Sequence, residues 1–230
     1  MYSIVSYNTE SIAFPSTLKI LEALLDSAVK GFLWTDLKIS VIRITLGWAV
    51  AIVLGTILGI LVGYYTLLKP IDYINDFFRY LPVPAFVPLT LVWFGIGETS
   101  KIFLIFLGTV VQVISMVSSE IRRFPVEYME VGYSIGMNRH KILLSIIFPG
   151  ILPGLWDIYR ITLGWAWTYL LIGEVVAANE GLGFRLVKSQ RFLQIDTIYA
   201  YILIIGTIGI LSDGVFRILK FYMFPYLQRR

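Results

Sequence analysis

The run "ISVIRITLGWAVAIVLGTILGILVGYY" (39–65) carries a single charged side chain, Arg43. A helix crosses the hydrocarbon layer with roughly 20 apolar residues, so this run is long enough to span. Lipid offers no hydrogen bonds, and a lone spanning segment must satisfy its own backbone, which only a helix does. Four similar runs follow, at 74–96, 101–119, 150–178 and 197–219. The expected fold class is therefore an all-α polytopic membrane protein. The chain is 57% hydrophobic and only 15% charged, more apolar surface than one soluble core hides. The net charge of +4 is scattered along the chain. It reads as headgroup anchoring, so a lipid bilayer is the expected partner and nucleic acid is not.

The residues inside the runs constrain their packing. Gly47, Ala51, Gly55, Gly59 and Gly63 recur every fourth position and form one small-residue stripe for close helix approach. Pro82, Pro84 and Pro88 remove backbone donors, so the second span must bend or break. That break either borders a transport path or is a plain kink. Arg43, early in the first span, is expected to snorkel to the headgroups. Asp157 and Arg160, three apart, are expected to neutralise each other. The alternative has Arg160 facing a path and attracting an anion. Glu174 and Asp213 lie nearer span ends, where water reaches them. "EGLGF" (180–184) is a backbone nest for an anion, a plain turn, or a contact for an extracellular partner.

The flanking segments are interfacial. The opening "MYSIVSYNTESIAF" lacks a basic region ahead of an apolar run and is not a signal peptide. "STLKILEALLDSAVKGFL" (16–33) spaces Leu18, Leu21, Leu25 and Val29 helically among polar residues and is expected to lie on the membrane. Residues 179–196 are expected to lie along a surface too. An odd number of spans puts the termini on opposite sides. The cations Lys69, Arg79, Arg122, Arg123, Arg139, Lys141, Arg217, Lys220, Arg229 and Arg230 then favour an N-out, C-in orientation.

Chemistry on this chain is excluded more readily than found. There is no cysteine and one histidine, His140, so no metal cluster or thiol nucleophile is expected. No phosphate-binding loop of the G-x-x-x-x-G-K-[ST] type occurs, so the chain does not hold ATP that way. No cofactor is expected, and no enzyme. A secondary transporter would show inverted repeats and buried coupling acids. No repeat is visible.

The stretch "EVGYSIGMNRHKILLSIIFPGILP" (130–153) is the least apolar part of the middle of the chain. A helix over 125–135 begins after Pro125 and holds Glu127 and Glu130 in its early turns, where the dipole favours anions. Gly136 ends it with a positive φ, and Asn138 caps a second helix carrying Arg139, His140 and Lys141. Pro149 and Pro153 punctuate the return to the membrane. Tyr128, Met129 and Tyr133 beside charges suit protein docking.

This stretch resembles the cytoplasmic motif of ATP-binding-cassette importer permeases, E-A-A-x-x-x-G, nine residues, then I-x-L-P. Glu130 and Gly136 take the Glu and Gly positions, and Ile146, Phe148 and Pro149 take the last three. The alanines are replaced by Val131 and Gly132, and the leucine by Phe148. "LPVPAFVPLTLVWFGIGETSKI" (81–102), "EVVAANEGLGF" (174–184) and the last span with Asp213 resemble permeases of nitrate, sulfonate, taurine and bicarbonate importers.

The resemblance implies the five-span core of the type I importer permease fold with a cytoplasmic coupling helix, without the extra N-terminal span that members of this group often have. It implies an N-terminal segment at 1–36, a transmembrane domain at 37–221 with a coupling loop at 120–149, and a tail at 222–230. It implies three protein partners: an ATPase subunit, a second permease copy, identical or paralogous, and an extracytoplasmic solute-binding protein. Tyr128, Met129, Glu130, Tyr133, Gly136 and Arg139 would couple to the ATPase. Pro82, Pro84, Pro88 and Arg160 would border the path. The cargo would be a small oxyanion, or alternatively a vitamin or its precursor.

Overall fold

The structure, a computed structural model, describes residues 14–228. Residues 1–13, read above as no signal peptide, and Arg229 and Arg230 lie outside the described residues.

The described residues are helical and contain no strand. Helix α1 covers Thr17–Val29, with Ser16 accepting a hydrogen bond from the Lys19 amide at 3.4 Å as its N-cap. Helix α2 is the long Phe32–Tyr64. Helices α3 (Lys69–Tyr80) and α4 (Val87–Phe94) follow, with a 3₁₀ turn at Val83–Phe86 between them. Next come α5 (Glu98–Arg122), α6 (Val126–Ser134) and α7 (Arg139–Ile142). A π-helical turn, Leu143–Ile147, joins α7 to α8 (Phe148–Ala177). Helices α9 (Leu182–Arg191) and α10 (Ile195–Met223) complete the chain, with a short 3₁₀ turn at Pro225–Gln228.

Among the described residues, four helical stretches are long and apolar enough to span: Phe32–Tyr64, Glu98–Arg122, Arg139–Val176 and Ile195–Met223. The pair Thr66–Tyr80 and Val83–Phe94, bent by 91° at its break, passes the same length and apolarity test only when its two helices are taken together, and counting it as one span gives five. The break falls where the prolines placed it. Leu81 is extended, and Pro82 cannot donate to a helix. The prolines at 149 and 153 mark the return to the membrane without breaking the helix. They lie within a continuous helical stretch rather than ending it. The π turn just before them, where the Phe148 amide reaches back to the Leu143 carbonyl, widens the helix.

The chain divides into two compact units. One comprises residues 14–46, Phe86–Ile105 and Trp167–Ser212. The other comprises Gly47–Ala85, Phe106–Ala166 and 213–228. The second unit holds an apolar cluster of Val113, Val117 and Ile121 from α5 with Ile142, Leu143, Ile147, Ile151 and Leu155 from the α7–α8 stretch.

The small-residue stripe packs α2 on α5 within that second unit. A Cβ added at Gly55 would sit 2.7 Å from Val113, and one at Gly59 would sit 2.7 Å from Val117 and 3.0 Å from the Ile114 carbonyl. At Gly63 it would meet the Ser118 backbone at 2.9 Å. Ala51 continues the stripe against Val110 and Ile114. Backbone approach this close excludes any larger side chain. Gly59→Leu is expected to cost about 1–3 kcal/mol or to prevent folding. The measurement is thermal denaturation of the detergent-purified protein, where an unchanged midpoint would refute the close packing.

Candidate functional site

The elbow at 125–142, in the second unit, is built from backbone geometry. Helix α6 ends in a Schellman motif: the Gly136 amide donates to the Tyr133 carbonyl at 2.9 Å, and the Met137 amide to the Gly132 carbonyl at 3.0 Å. Gly136 has φ +79°, as the sequence predicts, and a Cβ there would touch nothing. Its constraint is therefore backbone strain and not crowding. Gly132 is the opposite case. A Cβ there would lie 2.8 Å from Ile146 and 3.0 Å from Ile142, so α6 presses onto the start of the next helix through this residue. The motif's first alanine position, Val131, is exposed and tolerates a larger side chain.

Asn138 caps α7 as expected, its Oδ1 accepting from the Lys141 amide at 2.9 Å. Two consecutive tyrosines at the end of α2 hold this cap. Tyr64 donates to the Arg139 carbonyl at 2.9 Å, and the Tyr65 hydroxyl lies 3.0 Å from His140 Nδ1. The second helix of the elbow is thus tied to the end of α2 at its start. Tyr128 is 59% exposed, and Tyr133, Val126, Val131 and Ile135 are exposed with it. Glu130 and Arg139 are exposed beside them. Met129 differs: it packs on the core cluster and supports α6 from beneath.

A second constellation lies wholly within the first unit. Arg43 is buried, with its side chain 2% exposed, and does not snorkel. Its guanidinium donates Nε and Nη2 to the Glu98 carboxylate at 2.5 and 2.7 Å. Nη1 donates to Glu174 Oε1 and to the Glu180 carbonyl, both at 2.8 Å. Glu174 is likewise shut away from water, at 0% exposure, where access near a span end was expected. It also accepts from Ser40 Oγ at 2.6 Å and from the Gly183 amide at 2.8 Å. Lys101 closes the group on Glu98 at 2.9 Å. Beside it, Asp36 accepts from the Gly181 amide, Arg185 Nε and the Tyr201 hydroxyl at 2.9, 2.7 and 3.1 Å. Arg43, Lys101 and Arg185 thus balance Glu98, Glu174 and Asp36.

The stretch 180–184, open above between an anion nest, a plain turn and a partner contact, is a nest occupied from within. Its backbone amides do form a nest, but the chain's own groups fill it: Asp36 on Gly181, Ser40 on Leu182 and Glu174 on Gly183. A Cβ at Gly181 would fall 2.5 Å from the Glu174 carboxylate. The site anchors α9 and takes no outside anion.

Arg160 belongs to the second unit. It does not pair with Asp157. It meets Asp213 at 3.2 Å, and Asp157 instead takes Lys220 at 2.5 Å. Tertiary partners on α10 displace the neighbour on the same helix. Pro82, Pro84 and Pro88 are all exposed. Among the described residues no cluster of His, Asp or Glu is arranged to hold a metal.

The sequence matches the family "Binding-protein-dependent transport system inner membrane component" over residues 33–223. The chain belongs to this family. Among its relatives, the taurine transport system permease protein TauC of Escherichia coli (strain K12) is 34% identical, over 92% of this chain and 79% of that protein. The putative aliphatic sulfonates transport permease protein SsuC of Bacillus subtilis (strain 168) is 30% identical, over 90% and 75%. In structure, the MetNI methionine ABC transporter in an inward-facing conformation aligns with a TM-score of 0.67 at 20% identity, over 82% of this chain and 93% of that one. The fold is therefore that of a type I importer permease. This chain is a multi-pass membrane permease subunit of an ABC importer, and not an enzyme.

The glycine turn and the asparagine cap of this permease's elbow were legible in the sequence, whereas the inward packing of Met129 and the buried charge network were not. Asp36, Ser40 and Arg43 lie at i, i+4 and i+7, one polar stripe on an otherwise apolar helix, and that was the available signal. Removing one member of a buried ion pair strands the other, at about 3–5 kcal/mol. Arg43→Met is expected to lower the thermal midpoint of the purified permease accordingly. Lys30→Ala, which breaks an exposed pair with Asp26, is expected to cost at most about 1 kcal/mol. Equal, small effects of both would contradict the buried network.

Proposed function

We propose that this permease imports a small oxyanion of the sulfonate type, delivered by an extracytoplasmic solute-binding protein and driven by ATPase subunits that dock on the elbow. The substrate reading is supported by the relatives named for taurine and aliphatic sulfonates. The observation that carries the coupling reading is the elbow itself. Its exposed Tyr128 and Tyr133 sit on a helix whose C-terminal end is closed by the chain's own bonds and which presses onto the next helix through Gly132. A docking helix held this way transmits a push rather than absorbing it.

In this reading Tyr128 and Tyr133 fill a groove on the ATPase, with Glu130 and Arg139 at its charged rim. Met129 sets the height of α6, and Gly136 fixes its exit angle. Two permease copies, identical or paralogous, enclose the path. The proline break at Pro82, Pro84 and Pro88 borders the path, and Arg160 lies toward its cytoplasmic end. The N-terminus faces outward and the C-terminus inward, which puts the elbow on the cytoplasmic side, as the loop cations favour.

Gly136→Val is expected to abolish uptake while membrane insertion is retained, because a β-branched residue is strained at φ +79°. Gly136→Ala, at a cost of about 1 kcal/mol, is expected to give an intermediate rate. Normal uptake by the valine variant would reduce the elbow to a connector. Tyr128→Ala is expected to weaken copurification of the ATPase subunit by at least about tenfold in dissociation constant, as for a buried aromatic anchor. Undiminished copurification would remove Tyr128 from the docking face.

A further inference from the structure

Within the second unit, a cleft of about 390 Å³ opens between α8 and the end of α10. Its lining alternates charge and ring: Asp157, Arg160, Arg217 and Lys220 with Phe216, Phe221 and Phe224. The charges do not balance. Arg160 and Arg217 share one carboxylate, Asp213, at 3.2 and 2.6 Å, while Lys220 takes Asp157. Three cations thus face two carboxylates, leaving one positive charge in the cleft. The imbalance coincides with an unmet donor. Arg160 Nε is buried and has no hydrogen-bond partner among the described residues. A guanidinium donor shut from water without an acceptor is unfavourable, and buried donors are almost always satisfied. Phe216 is held rigidly as one wall: Trp48 meets its ring edge-on at 5.8 Å, and Trp156 Nε1 donates to its carbonyl at 2.8 Å. Beside this wall Arg217 is 70% exposed, paired with Asp213 one turn back on the same helix.

We infer that this cleft binds a tetrahedral oxyanion carried on an apolar group. The oxyanion accepts from Arg160 and from Arg217 or Lys220, in the bidentate geometry that guanidinium favours, and the apolar part lies against the phenylalanines. Two sources present this chemistry. One is the phosphate of an acidic phospholipid, since basic clefts between spans at the end of a membrane helix suit such headgroups. The other is a sulfonate in transit. The sulfonate source rests on the substrate reading above, whereas the lipid source rests on the cleft alone.

The test uses the permease copurified with its ATPase subunits in nanodiscs. In discs containing phosphatidylcholine and phosphatidylglycerol, native mass spectrometry counts retained phosphatidylglycerol. In discs of phosphatidylcholine alone, ethanesulfonate is titrated against tryptophan emission, because Trp48 and Trp156 flank Phe216. At least one of these anions is expected to bind saturably, and Arg160→Gln to weaken it about tenfold. Arg217→Gln, at an exposed side chain that leaves the interior untouched, is expected to act in the same direction. Phosphatidylglycerol retention alone identifies a lipid site and leaves the site standing while counting against the sulfonate cargo. An ethanesulfonate response alone identifies a solute site. Absence of binding by both anions, or binding unchanged in both variants, overturns the inference.

Discussion

Hydrocarbon supplies no hydrogen bonds, so every polar group this chain carries into its spans needs a partner within the protein. Arg43 shows how completely that demand shapes the first unit. Its guanidinium reaches two carboxylates and a carbonyl, and each carboxylate is then committed to further donors. Once Glu174 must also accept from Gly183, the chain after α8 has to turn back on itself, and the positive φ and the Glu174 carboxylate at Gly181 leave room only for glycine there. The glycine-rich turn and the anchored α9 therefore follow from a charge buried far away in sequence. Such a network gains little net stability over a well-packed apolar core, but losing one member is costly, so it fixes one arrangement.

The second unit solves a different problem. A short helix joining two spans has too little buried surface to hold itself in place. Here Gly136 supplies the exit angle, Gly132 supplies the close approach to Ile142 and Ile146, and the tyrosine pair at the end of α2 holds the next cap. The π turn that follows carries the chain into α8 while accommodating two prolines. Backbone and side-chain constraints agree at each step. The result is an element whose outward aromatic face is left uncovered by the chain itself.

What the sequence disclosed, and what it hid, divides along interaction range. Helical pitch, glycine at positive φ, the asparagine cap and the proline break are local, and each was read correctly from neighbours in the chain. The charged residues were read by the same local logic and misplaced by it. The i, i+3 spacing of Asp157 and Arg160 suggested a pair, but α10 offered each a better partner. Arg43 looked like a snorkelling residue near a span end because Glu98 and Glu174 are distant in sequence. Periodicity tells which face is apolar. It does not tell which two polar stripes will meet.

The central claim is that the α6 elbow lies on the cytoplasmic side and receives the ATPase. The chain has no cysteine, so Val131→Cys, at an exposed position of α6 that leaves Tyr128 and Tyr133 in place, creates a single thiol on the chain. The deciding measurement is its labelling by a membrane-impermeant maleimide in intact cells and in inside-out vesicles, with and without the ATPase subunit. The account predicts labelling only in the vesicles, and protection of the thiol once the ATPase is bound. Labelling from outside intact cells, or a thiol equally reactive with the ATPase in place, would contradict it.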